Sequence, residues 1–319
     1  MLRLSCFLFL ATALPAAAQS PLFGWPVDCD LDQTCYIQNL VDHDPGPGTA
    51  DFRCGAQGYD GHKGTDIALP DLRAQAAGVS VLAAAPGTVR AVRDDMPDIL
   101  QGQPGAPDTT GRECGNGVVI RHGGGWESQY CHMALGSITV QPGDRVAMGQ
   151  PLGRIGLSGQ SEFPHLHFEL RRDGARVDPF DPDGEESCTL DPANTLWLTP
   201  ENPAAGGLIS VGFSTGVPDY SAVKAGTADR SLTTDAPIVL WGYAFATRPG
   251  DILQIVIDGP DGRVHLHEET LERAQAQMFR ASGRRAPAGG WASGSYIGTV
   301  THLRGAQVLG QMTVQADLP

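Results

Sequence analysis

The chain has 319 residues, 22 Lys and Arg against 36 Asp and Glu, and a formal charge of −14. That balance leaves no electrostatic footprint for nucleic acid or an anionic membrane surface, and 41 Gly with 24 Pro exclude a coiled coil or long helical bundle. An apolar fraction of 41% excludes a fully disordered chain, so a turn-rich, mostly β protein of two domains is expected.

Residues 1–18 read as a secretory signal peptide. Arg3 is the basic start, Leu4 to Leu14 is an apolar run too short to span a bilayer, and Ala16, Ala17 and Ala18 supply a small-residue cleavage site. The expected location is therefore periplasmic or extracellular, and no other segment reaches membrane-spanning length. Apart from Cys6, six cysteines remain, and an even count in an exported chain predicts three disulfides. Cys29 and Cys35 close a small loop, Cys114 and Cys131 flank an apparent hairpin turning at Gly123 to Gly125, and Cys54 and Cys188 are left to pair.

Residues 19–50 read as an irregular N-terminal segment ending in DHDPGPG, a cluster of turn formers. Residues 51–190 alternate short strands with glycines, interrupted by a polar loop over 94–113, the kind that often borders a binding site. Residues 191–207 read as a linker. Residues 208–319 carry strand-length apolar runs such as PIVLWGYAF and ILQIVID between PGD and GPDG turns, which predicts a small all-β, Ig-like sandwich. One short helix is expected at ETLERAQAQMF, and Trp241, Tyr243, Trp291 and Tyr296 are assigned to buried sandwich core rather than a binding face.

The chemistry concentrates in two histidine motifs. YDGHKGTD spaces His62 and Asp66 as H-x-x-x-D. On a straight strand those positions lie roughly 13 Å apart, and the glycines oppose a helix, so a glycine-permitted turn must fold the two side chains together. In FPHLHFEL the apolar alternation marks a strand whose other face carries His165, His167 and Glu169. Two His and one carboxylate suit zinc with an open position for water; Glu169 is expected to stay off the metal. A second H-x-H, His265 and His267, has no H-x-x-x-D nearby and reads as a solvated strand face. His43 and His122 read as turn and hairpin residues. Cys131 precedes His132, and strand alternation would point it away from the site as a disulfide or core residue.

Five segments in order, YDGHKGTDIAL, SVLAAAPGTVRAV, GNGVVIRHGGGWESQYCHM, VQPGDRVAMGQPLGRIGLSG and FPHLHFELRRDGARVDP, resemble the lysostaphin-type (LytM-like) zinc metallopeptidases, which cleave peptide bonds in bacterial peptidoglycan. The resemblance covers about residues 51–180 and implies an antiparallel-sheet metallopeptidase domain over 51–190. It implies one zinc ion ligated by His62, Asp66 and His167, with His132 and His165 as catalytic histidines that do not bind the metal. It implies an endopeptidase acting on peptidoglycan stem or bridge peptides. The alternative is a non-catalytic wall-binding or amidase-activating member, which the complete ligand set disfavours. Residues 208–319 lie outside the resemblance and are expected to bind wall or a protein partner.

Overall fold

The computed structural model describes residues 20–184 and 188–319; the signal-peptide reading of 1–18 lies outside the described residues. The first half comprises β1 (Tyr36–Asn39), β2 (Thr65–Ala68), α1 (Leu72–Ala77), β3 (Ser80–Leu82), β4 (Gly87–Arg93), β5 (Gly117–Gly123), β6 (Trp126–Cys131), β7 (Arg145–Val146), β8 (Pro151–Arg154), β9 (His165–Arg172) and β10 (Ala175–Val177). An eight-stranded sheet runs β1-β2-β9-β6-β5-β4-β7 with β10 on β9, while β3 and β8 form a separate ribbon. Every pairing in it is antiparallel, so one face can be buried while the other carries polar groups. Ile67 and Leu166 bury beneath it, whereas Asp66, His165 and His167 project from the opposite face.

Residues read as an irregular N-terminal segment and a linker belong to this core. Phe23, Leu40 and Trp197 bury with Ile67, Tyr130 and Phe168, and Phe23 exchanges backbone hydrogen bonds with Leu196 and Leu198 at 2.8 Å. All three cystines pair as expected: Cys29–Cys35, Cys54–Cys188 and Cys114–Cys131.

The second half comprises β11 (Gly207–Ser214), α2 (Tyr220–Ala225), β12 (Ile238–Thr247), β13 (Ile252–Gly259), β14 (Gly262–Thr270), β15 (Gln275–Arg284), β16 (Gly294–Arg304) and β17 (Gln307–Leu318). Sheets β11-β12-β15 and β14-β13-β16-β17 enclose a core that includes Ile238, Leu240, Ile255, Tyr296 and Val300. The helix expected over ETLERAQAQMF does not form: Glu269 and Thr270 end β14, and Gln275 opens β15. Helix propensity is a weak preference, and here nine pairings to β12, with Met278 buried, override it.

Trp241 and Tyr243 also differ from expectation. Alternation along β12 sends Ile238, Leu240 and Ala244 into the sandwich and Trp241, Tyr243 and Phe245 out the other side. There they bury against Tyr36 and Ala68 of the first half. Tyr296 does occupy the sandwich core, with Trp291 half-buried beside it. Among the described residues no helix is long and apolar enough to cross a membrane.

Candidate metal centre

Register builds the site. Asp66 on β2 sits directly opposite His167 on β9, and such pairs share a face within contact distance. His62 arrives from the turn before β2, where Gly61 adopts φ +76°, a conformation glycine adopts without strain. Gly64 is required for a different reason: a Cβ there would lie 2.4 Å from the Phe168 carbonyl and 2.9 Å from His167 Nε2.

The three side chains converge. His62 Nε2 lies 3.1 Å from Asp66 Oδ2 and 3.2 Å from His167 Nδ1, and His167 Nδ1 lies 2.8 Å from Asp66 Oδ1. Donors bound tetrahedrally to zinc at ~2.0–2.1 Å are spaced about 3.3 Å apart, so the set fits that ion. Protonation points the same way. His62 Nδ1 donates to the Leu40 carbonyl at 2.7 Å; in the neutral ring this leaves Nε2 a lone pair aimed at the Asp66 carboxylate, itself an acceptor. A cation reconciles the three. Burial alone would push the Asp66 carboxyl up, but His62, His165 and the hydrogen bond from His167 hold it well below its usual range.

Surrounding groups fix these three side chains. Asn39 Nδ2 donates to Asp66 Oδ2 at 2.8 Å. Arg176 bonds the carbonyls of His62 and Asp42 at 3.1 and 2.9 Å. The Asp42 carboxylate takes the Gly61 N–H at 2.7 Å and those of Asp44 and Ala50. Sequence reading missed Asn39, Asp42 and Arg176.

His132 and His165 stand beside the cluster, ring centroids 4.5 Å apart, with His132 6.1 Å from His167. Each Nδ1 donates to a carbonyl, His132 to Ser158 at 2.8 Å and His165 to Phe163 at 2.9 Å. In the neutral rings both Nε2 atoms are left as acceptors. Burial, aided by His165 and His167, pushes His132 well below the usual histidine range. Burial also lowers His165, against the opposing pull of Asp66. His132 has φ +62°, strained for a non-glycine residue.

That backbone corrects the reading of Cys131. It pairs with His167 across the sheet and so shares the site face. Alternation ends there, and the left-handed turn at His132 brings the imidazole round to the same side. The sulfur is engaged by Cys114. Other candidates stay away from the cluster. Glu169 pairs with Arg171 at 3.4 Å, His43 with Asp178 at 2.8 Å, and His122 bonds Ser128 and the Pro86 carbonyl. On β14, His265 bonds Ser282 at 2.7 Å and His267 is exposed.

The sequence model of peptidase family M23 matches residues 60–179. The DD-carboxypeptidase/endopeptidase Mpg of Neisseria meningitidis serogroup B is 42% identical over 65 residues, covering 20% of this chain and 14% of that protein. The peptidoglycan DD-endopeptidase ShyA of Vibrio cholerae is 35% identical over 109 residues, 34% of this chain and 20% of that protein. The murein hydrolase activator EnvC of Escherichia coli is 36% identical over 103 residues, 31% and 22% respectively. The chain thus spans less than a quarter of the length of these relatives. A zinc-containing peptidase from Vibrio cholerae superposes with a TM-score of 0.34 at 26% identity, over 49% of this chain and 39% of that one. The stretch that supplies all four clustered imidazoles and the Asp66 carboxylate is therefore a domain of peptidase family M23.

Proposed function

We propose that the chain is an exported zinc metalloendopeptidase that hydrolyses peptide bonds in peptidoglycan cross-links. The observation that carries this reading is the convergence of His62 Nε2, Asp66 and His167 Nδ1 at 2.8–3.2 Å, beside the imidazoles of His132 and His165, the latter with Nε2 3.6 Å from Asp66 Oδ1. A zinc ion held by these three would supply Lewis acidity, drawing the pKa of water from ~15.7 toward ~7 and polarising a carbonyl. His132 and His165, fixed by the Ser158 and Phe163 carbonyls, act on protons: an open Nε2 accepts one from water, and the resulting imidazolium donates to the leaving amine or to the oxyanion. Neither cysteine nor serine nucleophile is required. The three cystines support export, because cytosolic thiols are kept reduced.

The EnvC similarity favours one other reading, a partner that activates a separate hydrolase without cleaving. Digestion of purified sacculi decides between them. The zinc-loaded chain should release new amine termini and shorter peptides, with product masses identifying the bond, and His167→Ala should abolish release. Full zinc occupancy without cleavage would favour the activator role instead.

A further inference from the structure

The metal centre and the second domain share one face of the large sheet. Strand register puts Tyr36, Ala68 and His165 in one row and Asn39, Asp66 and His167 in the next. Trp241, Tyr243 and Phe245 cover Tyr36 and Ala68. Gln277 Nε2 donates to the Tyr36 hydroxyl at 2.9 Å and to Gln38 Oε1 at 3.0 Å, and Gln38 Nε2 donates to the Ala276 carbonyl at 2.8 Å. The second domain therefore stands as a wall beside the candidate zinc site.

Between that wall and the first domain runs a groove of about 470 Å³, within the size range of ligand sites. Gly55 and Gly58 line one side, Arg248 and Gln275 the other, and Asn39 joins the groove to Asp66. One charged group in this groove lacks an ion-pair partner among the described residues. The Arg248 backbone N–H is bonded to Asp251 at 2.8 Å, yet its guanidinium makes no ion pair among the described residues. Asp51 approaches the same side of Gly55, but it is engaged by the backbone N–H groups of Arg53, Gly55 and Gln57 and by the Arg53 guanidinium. In a chain with a charge of −14, an unpaired cation in a groove separated from Asp66 by the single residue Asn39 suits recognition of an anion.

We infer that this groove holds one arm of the cross-linked stem peptide, with Arg248 anchoring a free carboxylate of that peptide. The inference rests on the endopeptidase reading and names the specificity within it: acidic stems are preferred to amidated ones.

The test uses the zinc-loaded full chain and soluble muropeptide dimers, one preparation with free carboxylates and one with those carboxylates amidated. Wild type should prefer the acidic dimer. Arg248→Gln should lower the acidic-to-amidated ratio of kcat/KM about tenfold, chiefly through KM, Arg248→Lys should restore part of it, and Arg248→Glu should invert the preference. An unchanged ratio in Arg248→Gln overturns the inference. Equilibrium binding of the acidic dimer to the His167→Ala chain, with and without Arg248→Gln, separates the two levels. Binding that weakens about tenfold without Arg248 upholds the groove even if wild type cleaves neither dimer, an outcome that would sink the endopeptidase reading alone. Equal binding by both chains overturns the groove.

Discussion

A carbonyl oxygen only accepts hydrogen bonds, and at this site three carbonyls set three imidazoles. Leu40 orients His62, Ser158 orients His132 and Phe163 orients His165, each receiving an Nδ1 proton and leaving Nε2 toward the centre of the cluster. Asn39 performs the matching task for the carboxylate, its amide donating to Asp66 Oδ2. Removing such a partner typically weakens metal binding by 10–100-fold. Asn39→Ala should therefore retain the fold yet lose zinc roughly 10–100-fold more readily to a competing chelator. Unaltered affinity would show that the amide only packs the edge of the sheet.

At the scale of strands and loops, His132 depends on what precedes it. Its N–H donates to the Cys114 carbonyl at 2.8 Å and its own carbonyl accepts from Gly156 at 2.8 Å, while the Cys114–Cys131 bond ties both neighbours together. A displacement of about 1 Å can cost on the order of 10²-fold in rate. Cys114→Ser with Cys131→Ser should thus lower kcat about 10–100-fold with zinc retained, whereas breaking Cys29–Cys35 should leave kcat near wild type. Equal effects of the two changes would mean that the bond near His132 stabilises the fold alone. The same elements show what the sequence carried. Two-residue alternation made His165 and His167 legible, and glycine spacing made the turn at His62 legible, because both are local properties. Asn39 and Arg176 were not legible, since their roles depend on register across β1 and on a distant hydrogen bond. Cys131 misled because alternation presumes a continuing strand, and the strand ends at that residue. The helix expected over 269–279 failed because pairing with β12 outweighs local preference.

Across the whole molecule, the connection between the halves is gripped from both sides. Arg53 of the first half bonds the Pro203 carbonyl. Arg304 bonds the carbonyls of Ala205 and Ala246 and pairs with Asp251 at 2.8 Å, and His302 joins the same carboxylate at 2.9 Å. Burial alone would push Asp251 up, but Arg304 and His302 outweigh it and hold the carboxyl below its ordinary 3.8. A depressed carboxyl adds stability above its unfolded value and loses it as pH falls through the folded one. The melting temperature of wild type should therefore drop more steeply below about pH 4 than that of Asp251→Asn, which at neutral pH should already be less stable by roughly 3 kcal/mol; parallel pH profiles would remove Asp251 from the account. The larger consequence concerns catalysis. Phe163 packs against the cluster shared by the two halves, stacks on His165 at 4.4 Å, and supplies the carbonyl that His165 Nδ1 bonds. Ending the chain after residue 206 would uncover Tyr36, Ala68 and Phe163, at a cost of about 1–3 kcal/mol in lost apolar burial. The candidate ligands His62, Asp66 and His167 make none of those contacts, so the shortened chain should still bind one zinc. It should lose kcat even on a small soluble dimer, because His165 is no longer held, beyond any loss on intact wall. Full kcat on the dimer with reduced activity on sacculi would instead make the second domain an anchor to the wall with no part in arranging the site.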